Sequence, residues 1–395
     1  MVSVSDQYEA FPYPERDPAD ERTRLITGSP SDPIEMDHYL FGGARDWSKP
    51  LRAMVAGGGT GDGLIQLATR LSRAGRPFEI TYLDLSCASR AVAEKRADVR
   101  GLTGITFHTA SLLDAPDFGE FDYIDCCGVL HHLSDPGAGF KALRAACAPT
   151  GGLGFMVYAP LGRSGVYPLQ QAFGALFANH GPAERLAAAR AIFAKLPSGH
   201  LFKTNPHLGD HKQSDAGFYD LLLHSQDRSY DVGELLDELT GAGWDLASFC
   251  QPGRYDLARF VEVPATMDAA QAMVIAEKLN GTMKVHLGYA VPAGAVRPVA
   301  SAAKRSLVPH LRAATPAQLA KAVSTGNPFS IKSGCETIRI ALPKSAAPLI
   351  ARINGKRSLN DIASGMDPIT FGGIWSQIEA AFTPWDVLLY SRLLT

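Results

Sequence analysis

The chain has 395 residues, of which 46% are hydrophobic, 20% charged and 9% aromatic, with a formal charge of −2; this fits a globular protein of about two to three domains and excludes disordered and collagenous classes. Six cysteines (Cys87, Cys126, Cys127, Cys147, Cys250, Cys335) make no CxxC pair, the start lacks signal-peptide order, and no apolar run nears the roughly 20 residues of a membrane helix. A reducing cytoplasm and no membrane are therefore expected. The near-zero charge is a cancellation: residues 1–295 hold 26 Lys+Arg against 35 Asp+Glu, a net −9, while residues 296–395 hold 12 against 5, a net +7. Such a split points either to an acidic partner or to attraction between the two parts.

Residues 1–50, rich in Pro, Asp, Glu and Arg, read as an extended arm with room for one short helix. From residue 51 strands alternate with amphipathic helices. RAMVAGG (52–58) predicts a strand, GLIQLATRLSRAG (63–75) a helix, EITYLDLS (79–86) a strand and SRAVAEKRADVRG (89–101) a helix. ITFHTAS (105–111), FDYIDCCGVL (121–130) and GLGFMVYAP (152–160) predict three more strands, with a helix over 137–149. Residues 161–230 interrupt the alternation and read as a helical cap. A helix from residue 231 ended by Gly243, a sixth strand, and a seventh over 282–294 complete an α/β sheet with helices on both faces. Residues 296–326 read as a small-residue linker and 327–395 as a basic C-terminal domain.

MVAGGGTGDGLIQLA (54–68) places Gly57, Gly58, Gly59, Gly61 and Gly63 between a strand and a helix. Glycine there lets the backbone approach a ligand at a helix N-terminus. About 25 residues on, the second strand ends in Asp84, placed either to accept from two ribose hydroxyls or to cap the next helix, a role Ser86 also suits. GGGTG, the Asp84 turn, ASLLD (110–114) and FDYIDCCGVLHHLSDP (121–136) follow in order, and together they resemble the motifs of class I S-adenosylmethionine-dependent methyltransferases. The resemblance implies a seven-stranded Rossmann-like methyltransferase sheet with S-adenosyl-L-methionine as cofactor. It implies Gly57 and Gly59 against the cofactor's backbone, Asp84 on ribose, Ser111 and Leu112 beside adenine, and Cys127 and Gly128 along the methionine moiety. Gly61 and Leu85 complete the expected set. One position departs from the family: Val55 stands where an acid usually holds the cofactor's amino group. Asp62, or a group from the arm, is the expected replacement.

Methyl transfer from a sulfonium is an in-line displacement that needs alignment and removal of a proton. His132 is the first expected base, with His131 beside it and Asp220 and His224 of the cap on one helical face. Pro12 and Pro14 stiffen the FPYP strip, which resembles the arms before the catalytic domain of some bacterial methyltransferases. It reads as a lid or as cover for an apolar groove. Tyr8 and Tyr13 of the arm, with Asp215, Tyr219 and Arg228 of the cap, are the expected acceptor contacts. His207, Asp210 and His211 suggest a metal, but the chemistry demands none.

The C-terminal domain reads as a small α+β unit: a strand over 336–343, helices over 346–355 and 359–365, and a last helix over 372–392. IARINGKRSLNDIA loosely resembles winged-helix modules. Lys332, Arg339, Lys344, Arg352, Lys356 and Arg357 make it basic, which suits nucleic acid, yet no aromatics are interleaved, so a partner-binding or dimerising role is favoured. The expected function is methyl transfer to an oxygen or nitrogen of a small molecule, protein or peptide. The alternatives are an aminopropyltransferase-like transfer, a cofactor-binding scaffold and an RNA methyltransferase.

Overall fold

Apolar runs separated by amphipathic helices build the sheet as the pattern predicts. The computed structural model describes residues 4–312, 314–334 and 336–395, Ser5 by its backbone only; Cys335 lies outside the described residues. After α1 (Val4–Ala10) and α2 (Pro33–Phe41) come β1 (Leu51–Ala56), α3 (Asp62–Arg73), β2 (Phe78–Asp84), α4 (Cys87–Arg100), β3 (Ile105–Thr109), β4 (Phe121–Cys127), α5 (Pro136–Ala145) and β5 (Cys147–Tyr158). The cap holds α6 (Val166–Leu176), α7 (Pro182–Lys195), α8 (Leu201–Thr204) and α9 (Asp215–Leu223). Then follow α10 (Val232–Gly241), β6 (Trp244–Phe249), α11 (Ala269–Asn280) and β7 (Val285–Pro292).

The strand order is β3-β2-β1-β4-β5-β7-β6, with β1 to β5 parallel and β7 antiparallel to both neighbours. Successive strand side chains face opposite ways. Met54, Ala56, Ile124 and Cys126 thus meet Phe140 of α5 and Leu235 of α10, whereas Ala53, Val55 and Tyr123 meet Leu64 and Leu67 of α3 and Met36 of α2. The order reverses between β1 and β4, and a ligand crevice opens beyond the carboxyl ends of strands at such a point.

The arm departs from the extended reading. Asp32 caps α2 by accepting from Ile34 N, Pro33 opens the helix and Gly42 closes it in the left-handed region. Buried Glu35 and Asp37 break its hydrophobic period, which hides the helix from pattern reading. The cap has its own core of Val166, Phe173, Phe202, Phe218 and Leu222.

The stretch expected as a linker is partly structured. β8 (Pro309–Leu311) pairs with β11 (Leu388–Tyr390), and α12 (Pro316–Ser324) sends Leu319 and Val323 into the C-terminal core. β9 (Phe329–Ser333) and β10 (Glu336–Ile340) form a hairpin, followed by α13 (Ala347–Ala351), α14 (Leu359–Ala363) and α15 (Pro368–Phe382). The last helix stops earlier than expected: Pro384 follows it and Asp386 turns the chain at φ 55° into β11. No helix among the described residues is long and apolar enough to cross a membrane.

Leu319 is 5% exposed, so Leu319→Ala is expected to cost about 2–5 kcal/mol in denaturant unfolding. A silent substitution would return this stretch to the role of linker.

Candidate active site

One continuous cleft of about 630 Å³ runs from the glycine turn to the cap. Its walls include Gly57, Gly59, Asp62, Asp84, Leu85, Ser111, Leu112, Cys127 and Gly128. Asp84 is held by two backbone donors, Gly59 N at 2.7 Å and Ser86 N at 2.8 Å. Burial pushes its carboxyl above the ordinary range, and those donors oppose the shift. Ser86, not Asp84, caps α4 by accepting from Ser89 N. Ser111 caps the 3₁₀ turn that begins at Leu112, which sets both residues at the cleft wall.

Gly61 does not line the cleft. It starts α3 at φ 100°, where a Cβ would lie 3.0 Å from Ala93 Cβ, so its role is the close approach of α3 to α4.

Asp62 is in the wall but is already engaged. Arg16 of the arm reaches it at 2.6 Å and Arg96 of α4 at 2.8 Å. Burial pushes this carboxyl up, but the hydrogen bonds and charges of Arg16 and Arg96 outweigh it and hold the group low. Arg96 also pairs with Glu21 at 2.7 Å, both nearly fully buried. Asp62 therefore anchors the arm. Another acid in the wall is Asp125, which the motif reading passed over. It sits on β4 in register with Val55 of β1, lines the cleft, and accepts from Ser31 Oγ at 2.5 Å. Burial pushes it up to about 6. A carboxylate missing from one strand is thus present on its neighbour, and the one acid inside the apolar run YIDCC was the signal for it.

At the cap end, residues from four distant parts of the chain converge. Tyr8 of α1 donates to Asp220 at 3.0 Å and lies 3.2 Å from His224 Nε2. Tyr158, the last residue of β5, donates to the other Asp220 oxygen at 3.3 Å. The rings of His132 and His224 stack at 3.7 Å and 17°, and donor atoms of His132, Asp220 and His224 all lie within 4.8 Å of one another. Burial raises Asp220, Tyr8 and Tyr158 and lowers His224 well below the usual imidazole range. Arg163, another residue pattern reading missed, lies 3.5 Å over the Tyr158 ring and pairs with buried Asp227 at 2.8 Å.

Gln226 sets the two histidine tautomers in opposite senses. His132 Nδ1 lies 2.9 Å from the Gln226 carbonyl and must donate to it; His224 Nδ1 accepts from Gln226 N at 3.1 Å. Neutral His132 then keeps its lone pair on Nε2, whereas neutral His224 keeps its proton there and donates it to Tyr8 oxygen. Of the stacked pair, His132 alone presents a free basic nitrogen.

Three expected acceptor contacts lie elsewhere. Asp215 is exposed at the start of α9 and pairs with Arg190 at 2.5 Å. Tyr219 is buried in the cap and stacks on Phe11 at 5.0 Å. Arg228 stacks on Tyr230 at 4.2 Å. None of the three lines the cleft, while Tyr8, Tyr13 and Asp210 do. His131 packs on Tyr158 at 3.9 Å outside the cleft wall, and His211 packs between Phe193 and Phe202, apart from Asp210. The FPYP strip crosses the glycine turn: Thr60 donates to Pro14 O at 2.6 Å.

Residues 54–153 match the family model described as a methyltransferase domain. An uncharacterized protein of Synechococcus is 32% identical over 265 residues, which is 64% of this chain and 61% of that protein; the chain thus spans less than two thirds of that relative's length. The solved structure of PKMT2 from Rickettsia typhi superposes with a TM-score of 0.62 at 14% identity, covering 93% of this chain and 77% of that one. The same protein in complex with AdoHcy gives 0.59, covering 93% and 76%. At that identity the likeness speaks for the fold. Residues 54–153 thus match a methyltransferase domain, and the strand order with the Asp84 turn at the switch point gives the chain the Rossmann-like fold of the class I methyltransferases.

Proposed function

We propose that this protein transfers a methyl group from S-adenosylmethionine to an oxygen or nitrogen of a small molecule, protein or peptide. The observation that carries the reading is the single cleft joining the Asp84 turn to His132 and Asp220, with His224 stacked on His132 behind its wall. The residues present fit the cofactor. Asp84, each of whose oxygens accepts one backbone N–H and keeps a further lone pair, suits a ribose diol. Ala110, Ser111 and Leu112 suit adenine, and Asp125 with Cys127 and Gly128 suits the amino-acid end. When bound, S-adenosylmethionine supplies an electrophilic methyl on a sulfonium.

The chain's part is alignment and proton removal. His132 Nε2 takes the acceptor's proton, and the Gln226 carbonyl on Nδ1 stabilises the imidazolium that results. Asp220 offers a buried negative charge to that cation or to an acceptor N–H. Its two oxygens are pre-set by Tyr8 and Tyr158, so little reorganisation is needed. Against an aminopropyltransferase-like transfer, β4 ends in Cys127 followed by Gly128, where such an enzyme has the aspartates it uses on its amine.

Three outcomes are expected. Asp84→Asn weakens calorimetric binding of S-adenosylmethionine about tenfold or more; unchanged binding removes Asp84 from the site. Asp125 pairs with an ammonium only when ionised, and burial delays ionisation to about pH 6. Affinity is therefore expected to fall as pH drops through that value, and Asp125→Asn is expected to abolish the pH step. Incubating protein, RNA and small-molecule fractions of a cell extract with methyl-labelled cofactor identifies the acceptor. With that acceptor, His132→Gln and Asp220→Asn are expected to lower kcat about 10²–10⁴-fold while leaving cofactor affinity intact. Binding without label transfer to any fraction favours a scaffold, and label in RNA favours the nucleic-acid reading.

A further inference from the structure

We infer that Arg312, from the C-terminal domain, is a positioning residue for the cofactor's amino-group site, acting through the turn Ser29–Pro33. The inference rests on the methyltransferase reading above. Arg312 leaves β8 with its N–H donating to Val387 O at 2.9 Å, so the β8–β11 pair fixes its place. Its guanidinium pairs with Glu35 and lies 3.8 Å from Asp32. Glu35 is fully buried and Asp32 is 2% exposed. Asp32 has a second cation, Arg70 at 2.6 Å. Glu35 has none besides Arg312 among the described residues; its other partners are Ser29 Oγ and Tyr289 OH, each 2.8 Å away, and the Cys250 thiol.

Ser29 and Ser31, just before Asp32 in the chain, stand in the wall of the cleft. Pro30 O accepts from Tyr123 and Tyr289, each at 2.8 Å. Next along the chain, Ser31 Oγ holds Asp125. A cation from the C-terminal domain thus sets Glu35, Glu35 sets Ser29, and two residues on Ser31 orients Asp125. Remove the guanidinium and a buried carboxylate loses its counter-charge. It must then reorient or take up a proton, and Ser29 and Ser31 move with it. The C-terminal domain, which lies away from the cleft wall, is by this route a part of the cofactor site.

The test uses the full chain and S-adenosylmethionine as the titrant. Arg312→Ala is expected to weaken binding about tenfold, Arg312→Lys to recover most of it, and the exposed control Arg357→Ala to bind as the unaltered protein does. Ser31→Ala is expected to produce a similar loss, and the Arg312→Ala/Ser31→Ala pair to lose no more than either alone, because both break one path. If Arg312→Ala does not fold, Arg312→Met with Glu35→Gln removes the pair without stranding a charge and is expected to show the same weakened binding. Unchanged affinity in the folded Arg312 variant, or additive losses in the double variant, overturns the inference. Absence of binding in the unaltered protein sinks the cofactor assignment instead.

Discussion

Asp62 is held between two guanidiniums, and the layout of the cleft follows from that pairing. Arg96 is a cation with almost no exposure, and a buried charge persists only where carboxylates meet it. Glu21 and Asp62 do so, and Asp62 in turn takes Arg16. The arm is thereby tied to α3 and α4 at the glycine turn, which carries Tyr8 and Tyr13 into the cleft. The acid just after the glycines is engaged by two guanidiniums, and Asp125, one strand over, is the acid we propose for the amino-acid end of the cofactor. Arm, turn and reacting cluster are parts of one arrangement.

The sheet was legible because strands buried on both faces must be apolar runs, and runs such as RAMVAGG and FDYIDCCGVL stand out between amphipathic helices. The Asp84 turn was legible because its chemistry is local in sequence. Other features depend on contacts that sequence distance conceals. Nothing local says that Arg16, Asp62 and Arg96 meet, or that Tyr8 would bridge Asp220 and His224. Two local signals were present and passed over. Thr315-Pro316 with Gln318 forms a capping box that opens α12, and Asp32-Pro33 opens α2. Asp215, Tyr219 and Arg228 were grouped with the site because the segment is dense in polar side chains. Density does not give direction, and helix α9 turns Tyr219 into the cap core.

The charge split has a structural counterpart. Three of the twelve cations beyond residue 296 are used inside the molecule: Arg312 on Glu35 and Asp32, Arg297 on Tyr39 O, Arg352 on the carbonyls of Ile362 and Ser364. On the other side, Asp32, Glu35 and Asp37 of the acidic body sit in or beside α2, where the C-terminal domain docks. Ser391 and the Arg392 N–H both reach Asp37. Attraction between the two parts accounts for these residues without an external acidic partner.

We propose that the cleft seats the cofactor with its amino group on Asp125 and its sulfur toward His132 and Asp220. A crystal structure of the full chain with S-adenosylhomocysteine measures this directly. Ribose hydroxyls on Asp84, the amino nitrogen within about 3 Å of Asp125, and the sulfur facing the stacked histidines are expected. An amino group on Asp62 with Arg16 displaced, or a sulfur turned away from His132, would contradict it.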